Sequence, residues 1–149
     1  MPILADNLKL QPMVHKILLC ATVVLLLLTA CTKAPFDVDK ARKLANLHDS
    51  QAEYTAEEIK DVEDVMESFV TKQENLMNDI LNEKNPMERR RKIVKMAAEY
   101  KSEADVYDSI GLLVVLLRDS KHSDKTKFKN LMKRMLEVQY SVDIIEKEI

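Results

Sequence analysis

Few side chains in this 149-residue sequence are of types that carry chemistry. Cys20 and Cys31 are its two thiols. A thiolate is a nucleophile and a metal ligand, and a thiol is also the acceptor of a lipid. Cys20 sits inside an apolar run, so a chain that loses this run keeps one sulfhydryl and has no disulfide framework. Beyond the first thirty residues the histidines are His48 and His122. Both fall in predicted turns rather than on a helix face that would pair them with a second ligand. The Glu-x-x-His pattern with which helical bundles hold two irons is absent. A nucleophile–base pair would need a Ser or Thr delivered to one of these histidines by folding, and nothing in the spacing argues for that. The expectation is a non-enzymatic protein with no metal site and no cofactor.

Cations offer a different chemistry. Arg89, Arg90, Arg91 and Lys92 form a basic run suited to phosphate head groups, to anionic envelope polymers or to an acidic protein face. A solvated face, or pairing with acidic helices of the same chain, is the plainer account. No aromatic residues interleave with the run, which argues against nucleic acid. So does the overall charge. Of 23 basic and 25 acidic residues, Lys9, Lys16 and Asp6 lie in the first thirty, and the remainder carries a net −3.

The N-terminal segment sets the expected location. Lys16 precedes an unbroken apolar stretch, Ile17 to Leu28. A run of that length fits a signal-peptide core and is short for a bilayer span, which takes about 20 apolar residues. Leu28-Thr29-Ala30-Cys31 follows directly, and these four residues resemble the lipobox of bacterial lipoproteins. The resemblance implies cleavage between Ala30 and Cys31, diacylation of the Cys31 sulfur, and anchorage to a membrane through those acyl chains, where one chain alone would hold only marginally. The plain alternative is an uncleaved signal anchor with an incidental cysteine. Met13-Val14-His15-Lys16 makes the more typical signal start, which marks residues 1–12 as a candidate start-site artefact. Thr32, rather than an aspartate, follows Cys31. By resemblance to the sorting rule of enteric bacteria, this implies the outer membrane with the domain facing the periplasm. The expected organisation is a signal peptide over 1–30, a lipidated tether over 31–36 and a helical domain over 37–149.

The elements of that domain read as helices throughout. Gly111 is the single glycine, and only Pro35 and Pro86 among the prolines lie past residue 30. A sandwich or barrel needs turn residues every eight to twelve positions, which this chain lacks. Hydrophobic residues make up 46% and charged ones 32% of the chain, the balance of a folded domain. A short first helix is expected over 38–48, capped by Asp37, with a break at His48-Asp49-Ser50. Thr55-Ala56-Glu57-Glu58 fits a capping box. It opens a long second helix whose stripe runs Ile59, Val62, Met66, Phe69, Gln73, Leu76, Ile80, with Gln73 its one polar member. Asn85-Pro86 starts a third helix expected to reach Arg118 without interruption. Ile93, Tyr100, Tyr107 and Val114 form its core edge, and Ala97, Ala104 and Gly111 a small-residue edge for close helix approach. After a turn at 120–124, Phe128, Leu131, Met135, Val138, Val142, Ile145 and Ile149 define a fourth helix. Short links predict an all-α, elongated, antiparallel three-helix up-down-up bundle, with the short N-terminal helix as a partial fourth member.

Charge fits that order. The second helix begins acidic, from Glu57 to Glu67, while the last begins basic at Lys125 to Arg134 and ends acidic at Asp143, Glu146 and Glu148. The starts of these two helices should meet as acid and base, and Arg89 to Lys95 should meet the acidic end of the last helix. Ile110 to Leu117 is apolar around the whole helix circumference. Either the first helix covers it, or it forms a groove for a partner helix or lipid. Leu112, Leu113, Val115 and Leu116, with Arg89 to Lys92, are the candidate partner surface. The resulting expectation is a lipid-anchored helical interaction module (an assembly accessory, pilot or immunity-type lipoprotein) that docks an envelope protein. A small-ligand or lipid carrier and a structural spacer are the alternatives, and wide apolar faces leave a homo-oligomer open.

Overall fold

The computed structural model describes residues 34–50 and 53–147. The signal segment, Ala30 and Cys31 lie outside these residues, as do Glu148 and Ile149. Among the described residues there are five α-helices and no strand: α1 (Val38–Asn46), α2 (Ala56–Leu81), α3 (Pro86–Ser102), α4 (Ala104–Asp119) and α5 (Lys125–Glu146). The chain is an all-α helical bundle.

Local chemistry starts each helix where the sequence places it. Asp37 accepts the Lys40 amide at 2.9 Å and caps α1, which buries Ala41, Leu44 and Ala45 and runs into a single 3-10 turn, Leu47–Asp49. The Tyr54 hydroxyl donates to the Leu44 carbonyl at 2.7 Å and ties the following loop back onto α1. At α2 the capping box is complete. The Glu58 amide donates to Thr55 Oγ1 at 3.2 Å, and the Thr55 amide donates to Glu58 Oε2 at 2.8 Å. Asn85 accepts the Met87 and Glu88 amides ahead of Pro86. Asp124 does the same for Thr126 and Lys127 at the start of α5.

The third predicted helix is broken at Glu103, where φ −106° and ψ 23° leave the helical region. The Glu99 carbonyl at the break receives both the Glu103 amide at 2.9 Å and the Ser102 hydroxyl at 3.0 Å, and the Val106 and Tyr107 amides then donate to the Glu103 carbonyl to start the next helix. Glu103 also lies 3.7 Å from Lys72 on α2. The two halves then differ: α3 buries Ile93 and Met96, whereas α4 buries Val106, Ile110, Leu113 and Leu117.

Partner order gives the directions. Lys92 reaches Asp79 and Glu83, Tyr100 reaches Gln73, and Tyr107 packs on Phe69, so α2 runs against α3 and α4. Glu63 accepts the Asp124 amide and lies 3.6 Å from Lys127, while Glu67 and Glu74 meet Arg134, so α5 runs with α2. Acid meets base between these two helices as expected. At the opposite end, among the described residues, Lys92 pairs with Asp79 and Glu83, Arg91 with Glu88, and Lys95 with Glu99, all carboxylates of the same hairpin, while Glu148 of the expected acidic end lies outside those residues.

Two apolar clusters result. One joins α1, α2, α4 and Leu131; the other joins Met77, Ile80, Ile93, Met96 and Ile145. A run of edge-to-face rings, Phe36 on Phe69 at 5.2 Å, Phe69 on Tyr107 at 5.8 Å and Tyr107 on Tyr100 at 5.1 Å, crosses the molecule, with the Lys72 ammonium 5.7 Å from the centre of the Phe36 ring.

A candidate apolar groove beside α5

The bend at Glu103 and the lean of α5 onto α2 leave a groove of about 660 Å³ whose lining includes Gln73, Tyr100, Tyr107, Gly111, Val138 and Val142. The small-residue edge was expected to admit a helix closely. It does not: Ala97, Ala104 and Gly111 are exposed, and a Cβ added at Gly111 would meet nothing within 4 Å. The reason is that α5 packs chiefly on α2, so the glycine edge of α4 faces the groove.

Gln73, the odd polar member of the α2 stripe, is only 4% exposed and is satisfied by two phenols. The Tyr100 hydroxyl donates to Gln73 Oε1 at 2.9 Å, and Gln73 Nε2 donates to the Tyr107 hydroxyl at 3.3 Å. Burial pushes the Tyr100 hydroxyl above its ordinary value near 10 and the Tyr107 hydroxyl much further, with the neighbouring Tyr100 adding to the second shift. Both phenols stay neutral, so the cluster offers hydrogen bonds and no base. The sequence placed both tyrosines on the core edge. That one glutamine joins them could not be read without the bend.

Arg134 seals the far side of α5. Its Nη1 donates to Glu67 at 2.6 Å, Nε and Nη2 donate to the two oxygens of Glu74 at 2.7 Å, and Nη2 also donates to Thr71 at 3.1 Å. The bond to Glu74 leads in holding the guanidinium protonated. Elsewhere α5 is thinly covered. It buries only Leu131 and Ile145, and it presents Leu136 and Tyr140 to solvent at 67% and 68% exposure.

The candidate partner residues divide. Leu113 is fully buried in the core and presents no surface, Leu112 and Leu116 are half-buried against the same cluster, and Val115 is 40% exposed. Helix α1 packs on α4 and supplies much of the cover for Ile110–Leu117. Arg89 and Lys92 are half-buried, while Arg90 and Arg91 are exposed. Neither sequence turn predicted that His48 and His122 would line one pocket of about 330 Å³ with Glu53, Tyr54 and Asp119. Among the described residues, no group of three His, Cys, Asp or Glu is placed to hold a metal ion, and no helix is long and apolar enough to cross a membrane.

No family model, curated protein or solved structure matches the chain. Its function has to be argued from its own residues.

Proposed function

We propose that the chain is a lipid-anchored, non-enzymatic helical interaction module of a bacterial envelope, tethered at the outer membrane through acyl chains on Cys31 and docking a protein partner from the periplasmic side. The observation that carries the docking role is the face of α5, where Leu136 and Tyr140 stand in solvent one helical turn apart. The anchor is supported by the order of basic flank, apolar core and Leu28-Thr29-Ala30-Cys31. The neutral phenols of the groove, each bonded to Gln73, suit packing better than catalysis.

Metabolic labelling with a palmitate analogue tests the anchor. Cys31→Ala should lose the label and leave the membrane fraction, and unchanged labelling refutes lipidation. A photo-crosslinking residue at position 136 in intact cells tests docking: a discrete protein adduct is expected, and its absence removes the docking role.

The groove itself favours a second reading, a carrier of a small apolar ligand, because its walls are apolar while Gln73, Tyr100 and Tyr107 supply polar groups at one place. A fluorescent fatty-acid probe should then bind saturably and be displaced by Val138→Trp; indifference to that substitution excludes the groove.

A further inference from the structure

The exposed face of α5 is complementary to itself. Lys129, Met132, Leu136, Gln139 and Asp143 recur at alternating spacings of three and four, which places them along one face of α5. All except Met132 are exposed, and Met132 is half-buried. Polar ends flank an apolar centre, and the ends carry opposite charge.

That arrangement has a natural two-fold axis. Leu136 lies seven positions from both Lys129 and Asp143. If two copies of α5 cross antiparallel at Leu136, Lys129 of each meets Asp143 of the other, and Met132 meets Tyr140. The rest of the molecule leaves these charges available. Among the described residues Lys129 has no ion-pair partner, and Asp143 is met only by the Gln139 amide at 2.9 Å. Lys125, which would otherwise oppose Lys147 of the second copy, is turned away. Its ammonium donates to the carbonyls of Leu117, Arg118 and Ser120. Arg134 and Lys127 face α2.

We propose that the α5 face docks a second copy of this chain, as an antiparallel α5–α5 pair centred on Leu136. This deepens the docking role proposed above and rests on it. A membrane tether would assist, since confining two copies to one surface raises their effective concentration and lets a modest interface pair them. The charges of α5 run against the helix macrodipole; Lys127 and Arg134 are accounted for by α2, and pairing with a second copy accounts for Lys129 and Asp143.

The test uses the full chain in its native membrane with a short bis-maleimide crosslinker. Leu136→Cys should give a dimer well above the parent chain, which sets the background of its own thiols, and above Lys60→Cys on the exposed side of α2. In the Leu136→Cys background, Lys129→Asp or Asp143→Lys alone should cut the yield roughly tenfold, because two symmetry-related pairs become repulsive. Mixing the Lys129→Asp chain with the Asp143→Lys chain should restore it, since opposite charges then face again. Leu136→Cys yields no higher than Lys60→Cys, or single reversals without effect, or mixing without rescue, overturn the second copy as occupant. A photo-adduct at position 136 to a different protein overturns self-association while leaving docking intact. The same crosslink persisting in Cys31→Ala separates pairing from lipidation.

Discussion

Helices α2 and α5 carry similar three–four apolar stripes, yet the fold treats them differently. The 26 residues of α2 bury nine side chains between Ile59 and Ile80, whereas the 22 of α5 bury Leu131 and Ile145. The difference comes from neighbours. Helix α2 is packed by α1, α4 and α5 around its circumference, while α5 leans on α2 alone for most of its length. An amphipathic stripe therefore states what a helix is able to bury, and the number of helices around it decides how much it does bury.

Substitutions sharpen that contrast. Met66→Ala empties a fully buried site on α2 and should cost about 2–5 kcal/mol in chemical denaturation. Leu136→Ala on α5, measured too dilute for self-association, should change stability by less than about 0.5 kcal/mol; equal losses would break the comparison. Arg134→Ala should cost about 2 kcal/mol, since Glu67 and Glu74 lose the cation that ties α5 to α2, and hydrogen exchange should rise in α5 before α2. Thr55→Ala and Asp124→Ala should each cost about 1 kcal/mol through a lost cap, so helix starts matter equally on both helices even though burial does not. Gly111→Ala should raise stability by about 0.5–1 kcal/mol, because the new methyl meets open groove and the helix loses its least favourable residue; a loss would mean that something packs there.

Much of the fold was legible because local chemistry agrees with tertiary need. Asp37, Thr55 with Glu58, Asn85 with Pro86, and the acid–base match of α2 with α5 all stand where the sequence puts them. The break at Glu103 was not legible: neither proline nor glycine marks it, and the apolar spacing of Ile93, Tyr100, Tyr107 and Val114 runs through it unchanged. The groove follows from that break, so its lining could not be listed in advance. Leu113 shows the same limit in reverse. An eight-residue stretch apolar on every side does not reveal which of its members a short helix will cover. Of the candidate docking residues, Leu136 and Tyr140 were missed because they stand off the three–four stripe of Phe128, Leu131, Met135, Val138 and Val142, where single apolar residues among polar ones carry no periodic signal.

Phe36 has a mechanical consequence. It stands two residues before α1, yet its ring rests on Phe69, midway along the longest helix, under the Lys72 ammonium. Tension arriving through the preceding residues would enter the body at its waist, where the ring contacts spread it across α2 and α4 instead of unpeeling a terminal helix. Were the chain tethered through Cys31 as proposed, a pull on that tether would be borne by the middle of the bundle before any helix end.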